Sequence, residues 1–203
     1  MRNPLVPAVT GAILCGGQGR RLGGRDKGLV NLAGRPLVSH VLDRLQDQVD
    51  AVVLNANRNQ DQYSKLGYPV IADETTTFEG PLAGMLAVLE QCRSELLVCV
   101  PCDAPVFPRD LVHRLGRVLD ARRPIACAHD GERLQPTFVM LHTRVASDLR
   151  KFLAGNERKI DKFYSQAGFA SVDFSDQATA FANLNRESDF RQFDDSVGKN
   201  GAG

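Results

Sequence analysis

Apolar residues fall into short runs that alternate with amphipathic stretches. Ala12-Ile13-Leu14 is such a run, and it ends at Gly16-Gly17, which predicts a buried strand feeding a glycine turn. From Pro36 onward, Leu37, Val38, Val41, Leu42, Leu45 and Val49 recur at spacings of three and four. That stripe predicts a helix with Pro36 at its first position. Ala51–Leu54 predicts a second strand stopping at Asn55-Ala56-Asn57, and Pro69–Ala72 a third stopping at Asp73. Pro81 opens a helix with Leu82, Met85, Leu86 and Leu89 on one face. Leu96–Val100 predicts a strand ending at Pro101-Cys102-Asp103. The pattern then predicts a helix from Pro108 to about Leu119 and strands at Ile125–Ala128 and Pro136–Leu141. Helices at Thr143–Leu153 and Lys159–Ala167, a strand near Ala170–Phe174, an Asn-rich turn and a helix near Glu187–Phe193 complete it.

Strands alternating with helices predict an α/β fold: three layers, doubly wound, with a mostly parallel sheet covered on both faces. One such domain over residues 1–193 is expected, followed by a small, polar, disordered tail at 194–203. Gly16-Gly17, Asn55, Asp73 and Asp103 each fall at the carboxyl end of an expected strand. Open α/β sheets bind their ligands along that edge.

Composition narrows the partners. The chain has 203 residues and a formal charge of +1, so it has no global field for nucleic acid or an anionic membrane. With 43% hydrophobic and 24% charged residues, it has the make-up of a globular protein. No apolar run approaches the roughly 20 residues of a membrane span. Met1–Pro7 lacks the apolar stretch of a signal peptide. A cytoplasmic location is expected. Five cysteines form no disulfide framework. Cys99 and Cys102 have redox or zinc spacing, but residues three apart on a strand face opposite sides.

The richest stretch is Leu14-Cys15-Gly16-Gly17-Gln18-Gly19-Arg20-Arg21-Leu22-Gly23-Gly24-Arg25-Asp26-Lys27. Five glycines let backbone N–H groups approach an anion closely. Four cations and one carboxylate between Arg20 and Lys27 give a local charge of +3, suited to a polyphosphate. The dinucleotide pattern GxGxxG fails because Leu22 stands where its third glycine belongs. The ATPase loop fails because Arg25-Asp26 follows Gly24 in place of Lys-Ser/Thr. A third class of phosphate-binding loop is indicated.

Leu14-x-Gly-Gly-x-x-x-Arg-Leu-Gly-Gly-x-Asp-Lys27 resembles the signature loop of the molybdenum cofactor guanylyltransferases, the MobA family. The resemblance continues through Val53–Asn57, Gly80–Met85, Pro101–Pro105, His129–Glu132 and Phe181–Asn185, and so covers about residues 10 to 193. It implies a Rossmann-like nucleotidyltransferase fold. It also implies transfer of GMP from GTP to molybdopterin with Mg²⁺, releasing pyrophosphate.

By resemblance, Asp103 holds Mg²⁺ and the nucleotide phosphates, and Lys27 binds the triphosphate; these are the expected catalytic residues. Leu14, Cys15 and Gly16 supply backbone contacts to guanine, Gly17 keeps this GTP-binding loop thin, and Asn55 and Asp73 complete the nucleoside contacts. Asp73 could accept from guanine N1–H and N2–H or from the ribose hydroxyls. Cys15 stands where the family usually has Ala. Arg20, Arg21 and Arg25 either strengthen the phosphate field or remain solvated. Asp26, Arg158, Asn183 and Asn185 match positions assigned to molybdopterin. As plain sequence, the two asparagines also suit a turn and Arg158 a surface helix start. Besides GTP and molybdopterin, the resemblance implies partners among other molybdenum cofactor biosynthesis proteins and the molybdoenzymes, or their chaperones, that receive the product.

The sequence leaves three rivals: a molybdenum cofactor cytidylyltransferase, a sugar-phosphate nucleotidyltransferase, and a non-catalytic nucleotide or cofactor carrier. Gly16-Gly17, where the cytidylyl branch tends to carry Ala-Gly, favours GTP. The Gly80–Met85 and Phe181–Asn185 segments argue against the sugar-phosphate branch.

Overall fold

The structure, a computed structural model, describes residues 8–16, 24–74, 80–185 and 188–190. Strand β1 (Val9–Leu14) is an interior strand of a seven-stranded sheet. A small hairpin of β2 (Asn31–Leu32) and β3 (Arg35–Pro36) precedes α1 (Leu37–Leu45). Next come β4 (Ala51–Asn55), α2 (Gln60–Ser64), β5 (Val70–Ile71), α3 (Pro81–Gln91) and β6 (Leu96–Pro101). Helix α4 (Leu111–Gly116), β7 (Ile125–His129), β8 (Leu134–His142), α5 (Ala146–Ala154), α6 (Ile160–Ala167) and β9 (Phe169–Asp173) follow.

The strand order is β5-β4-β1-β6-β8-β7-β9. The chain runs outward from β1 through β4 to β5, then crosses to β6 on the other side of β1. The sheet reverses its winding between β1 and β6, where Leu14 pairs with Pro101. Crevices for ligands open at such a switch point.

Alternation along the central strands sends side chains to both faces. Ile13, Cys15, Val98, Val100 and Cys102 join one apolar cluster with α1 and α4 residues. Ala12, Leu14, Leu97 and Cys99 join another with residues of α3, α5 and α6. These are the two outer layers expected of a doubly wound sheet. Cys99 and Cys102 accordingly lie on opposite faces, and all five cysteines are free thiols.

Several boundaries differ from the sequence pattern. Strand β8 is antiparallel to both β6 and β7, so the sheet is mixed. Only Asp130-Gly131-Glu132-Arg133 joins β7 to β8, too short for a crossover, and a hairpin results. Pro36 is extended (φ −55°, ψ 139°) and caps α1 from outside, so the helix begins at Leu37. Helix α4 starts at Leu111 because Asp110 has non-helical angles (φ −105°, ψ 13°). The expected helix at Thr143–Leu153 opens with a 3₁₀ turn, Thr143–Val145. The β2–β3 hairpin, α2 and the 3₁₀ segment Ser175–Phe181 carry too few periodic residues to be read from sequence. Of the expected last helix, residues 188–190 are helical; its remainder and the 194–203 tail lie outside the described residues. Among the described residues, no helix is long and apolar enough to cross a membrane.

Candidate functional site

Strands β1, β4 and β6 end side by side and carry their terminal residues to one edge. Cys15 N–H donates to Asn55 O at 2.8 Å, and Cys102 N–H to Leu14 O at 3.2 Å. These bonds extend the ladder past the strand ends and bring Leu14, Cys15, Gly16, Asn55 and Asp103 to the switch point. Gly17, Arg20 and Arg21 lie outside the described residues; Arg25 is exposed.

Lys27, at the start of a 3₁₀ turn, crosses to the β6 tip. Its ammonium donates to Asp103 Oδ2 at 2.5 Å and to Asn185 Oδ1 at 2.7 Å. Seventy-six residues separate Lys27 from Asp103 and 158 separate it from Asn185, so only the fold unites them. The lysine and aspartate side chains keep 20% and 16% of their exposure. Asp103 Oδ1 is buried and has no hydrogen-bond partner among the described residues. Leaving a carboxylate oxygen dry and unpaired is costly. The segment bearing Asn185 is tied down by Leu184, whose N–H donates to Asp103 O at 2.8 Å. The Leu184 side chain is buried with Leu32, Leu37 and Phe190. Asn183 is exposed, and its carbonyl accepts from Asn185 Nδ2 at 3.4 Å.

A second polar centre lies where β4 and β5 end. Asn55 is only 2% exposed, and its Nδ2 donates to Ile71 O at 3.1 Å and Asp73 Oδ1 at 2.8 Å. Asn57 closes a reciprocal pair: its Nδ2 donates to Asp73 Oδ2 and its Oδ1 accepts from Asp73 N–H, both at 2.7 Å. Each Asp73 oxygen thus spends one lone pair and retains another. Helix α3 presses on this network through Gly84, where a Cβ would lie 2.2 Å from Asn55 Oδ1.

Beneath the loop leading to Lys27, the Tyr63 hydroxyl donates to Asp26 Oδ1 at 2.6 Å and Asn59 Nδ2 to Asp26 Oδ2 at 3.0 Å. Burial pushes the Tyr63 phenol far up, with Cys15, Cys102 and Asp26 adding to the shift. The Cys102 thiol is also raised, first by its hydrogen bond with the Cys15 thiol and then by burial.

Arg158 stands elsewhere. Its Nη1 donates to Leu153 O and Glu157 O, and the residue lines a cavity of about 280 Å³ with Glu74, Ala83, Leu86, Ala87, Arg150 and others. The His129–Arg133 loop satisfies its own turn. Gly131 N–H donates to His129 Nδ1, and Asp130 accepts from Glu132 N–H, Arg133 N–H and Gln135 Nε2. Asn57, Asn59, Tyr63 and Gly84 are the site residues that sequence reasoning missed. Asn57 and Gly84 fall within the Val53–Asn57 and Gly80–Met85 segments that carry the resemblance; no local pattern signals Asn59 or Tyr63.

A doubly wound sheet with polar residues gathered at its switch point is the frame of a nucleotide-binding α/β protein. Residues 11–169 match the MobA-like NTP transferase domain, and the chain belongs to that family. It is 41% identical over 194 residues to the molybdenum cofactor guanylyltransferase of Shewanella loihica, covering 95% of this chain and 99% of that protein. To the Serratia proteamaculans protein of the same name it is 47% identical over 181 residues, 89% of this chain and 91% of that one. A solved structure from Archaeoglobus fulgidus, molybdopterin-guanine dinucleotide biosynthesis protein A, shares the fold. Its TM-score is 0.76 at 22% identity, over 94% of this chain and 99% of that chain.

Proposed function

We propose that the protein transfers GMP from GTP to the terminal phosphate of molybdopterin, yielding molybdopterin guanine dinucleotide and pyrophosphate. The Lys27–Asp103–Asn185 contact at the switch point carries this reading. It joins a cation for phosphates, a carboxylate for a hard metal ion and an amide at one place. The names of the curated relatives supply the substrates.

The molybdopterin phosphate oxygen forms a bond to the α-phosphorus of GTP. The bond from that phosphorus to the bridging oxygen breaks, and pyrophosphate leaves with the electron pair. A phosphomonoester with a second pKa of about 6 is already largely dianionic at neutral pH, so no strong base is required. Catalysis is then positioning and charge stabilisation. Lys27 exchanges Asp103 for the phosphates and offsets the charge that grows on pyrophosphate. The unpartnered Oδ1 of Asp103 suits a hard divalent cation, which one carboxylate, substrate phosphates and water suffice to hold. Magnesium there would neutralise phosphate charge and fix the triphosphate.

Leu14, Cys15 and Gly16 offer backbone groups to the nucleotide, and Asn55 and Asp73 face its nucleoside. The free lone pairs of Asp73 match the N1–H and N2–H of guanine, which cytosine lacks as a pair. Asn183 and Asn185 serve the molybdopterin side; Arg158, which lines the separate cavity with Ala83 and Arg150, is assigned to molybdopterin by the resemblance alone. Free thiols fit a reducing, cytoplasmic setting. Product delivery to recipient molybdoenzymes or their chaperones completes the proposal.

The test supplies molybdopterin, Mg²⁺ and each nucleoside triphosphate in turn and follows pyrophosphate. Release with GTP alone is expected. Release with CTP would reassign the protein to the cytidylyl branch. Tight GTP binding without release would make it a carrier.

A further inference from the structure

We infer that Tyr63 is a positioning residue for this reaction, setting Lys27 against Asp103 through the carboxylate of Asp26. The inference rests on the proposed roles of Lys27 and Asp103. Three observations support it. Both oxygens of Asp26 are engaged from α2 and the residue that caps it, by Tyr63 at 2.6 Å and Asn59 at 3.0 Å. Asn59 holds a left-handed conformation (φ 51°), and its carbonyl accepts from both Gln62 N–H and Tyr63 N–H. The Tyr63 side chain is fully buried in the apolar cluster that contains Cys15 and Cys102, the neighbours of Gly16 and Asp103.

The second observation is where Asp26 stands. It immediately precedes Lys27, and its carbonyl accepts from Leu29 N–H at 3.1 Å, closing the 3₁₀ turn that carries the lysine. Side chain and main chain of Asp26 are therefore both fixed, and the Lys27 backbone with them.

The third is Gly28. A Cβ there would lie 2.5 Å from the Tyr63 hydroxyl, so the chain just past Lys27 runs against the donor itself. Burial keeps that phenol protonated at any working pH, a permanent donor. Asp26 acts as a strut between the tyrosine and the lysine, where the family resemblance gave it a molybdopterin contact.

Tyr63→Phe removes the hydroxyl and keeps the packing. With GTP, Mg²⁺ and molybdopterin it should lower kcat about 10-fold to 100-fold, the scale of one hydrogen bond to a charged group. KM for molybdopterin should stay within about twofold on the same grounds. Asp26→Asn, which can still accept from Tyr63, should retain more activity than Asp26→Ala. A readout without turnover separates this inference from the functional proposal. Labelling of Lys27 by an amine reagent, followed by mass spectrometry on the substrate-free protein, should speed up several-fold in Tyr63→Phe and in Asn59→Ala, an exposed position. If the wild type turns over no nucleotide, the functional proposal fails while the labelling contrast still decides the strut. Unchanged kcat and labelling in Tyr63→Phe would overturn the inference. So would a rise in KM for molybdopterin at unchanged kcat in the Asp26 variants.

Discussion

Asp103 meets Lys27 with only one of its two oxygens: Oδ2 accepts the ammonium at 2.5 Å, while Oδ1 is buried without a partner among the described residues. A carboxylate kept only for an ion pair gains nothing from that second, dry oxygen. A divalent ion would account for it. Asp103→Asn keeps the shape and one acceptor for Lys27 but removes the charge. Pyrophosphate release should fall about 10²–10⁴-fold, the scale of losing one charge stabiliser, and should lose its dependence on Mg²⁺ concentration. A rate within threefold of wild type would show that the metal is held elsewhere.

Guanine selectivity should depend on Asn57 as well as Asp73. Asn57 both donates to the Asp73 carboxylate and accepts from its N–H, which fixes the plane in which the remaining lone pairs lie. In Asn57→Ala the carboxylate can rotate. KM for GTP should rise about tenfold, as for one lost hydrogen bond to a charged group, with kcat largely kept. The preference for GTP over ITP, which lacks the 2-amino group, should narrow by a similar factor. Equal loss with both nucleotides would place Asp73 at the ribose.

The pattern of apolar runs located the central strands because these are buried on both faces and read as continuous. It could not locate the β2–β3 hairpin or α2, whose two and five residues hold no period. Strand β8 shows a different limit. Its residues form a strand as expected, but its direction depends on the four residues joining it to β7, which apolar periodicity does not register. Asp103, Asn55 and Asp73 could be singled out because each falls at or just past the end of a strand. The contacts of Lys27 with Asn185 and of Tyr63 with Asp26 could not, because tertiary packing brings those residues together across long stretches of chain.

Gly84 should tolerate no side chain. An added Cβ would lie 2.2 Å from Asn55 Oδ1, and Asn55 is buried and bonded to Ile71 and Asp73. Gly84→Ala therefore has to push the asparagine out of its network or tilt α3. A destabilisation of about 1–3 kcal/mol is expected from overpacking, together with a weaker grip on GTP. Thermal unfolding and nucleotide titration check the two effects; a variant with wild-type values for both would mean that α3 yields without cost.

Stability should decline on the alkaline side. Burial pushes the Cys127 thiol up to about 12 from an ordinary value of 9.0, and raises Cys99, Tyr63 and Tyr164 as well. Cys102 is raised by its hydrogen bond with the Cys15 thiol and by burial. In each case the folded protein keeps a proton that the unfolded chain gives up first. The stabilisation from these groups is complete below pH 9 and erodes as pH rises toward the folded values, because there the unfolded state binds fewer protons. Each thiol contributes a slope of about 1.4 kcal/mol per pH unit across that window. Urea unfolding under reducing conditions should show a midpoint that is flat between pH 7 and 8 and falls steadily above about pH 9. Cys127→Ala should make the decline shallower. A midpoint unchanged to pH 11, or a slope indifferent to that substitution, would mean that the buried thiols ionise in place and contribute nothing to the pH dependence.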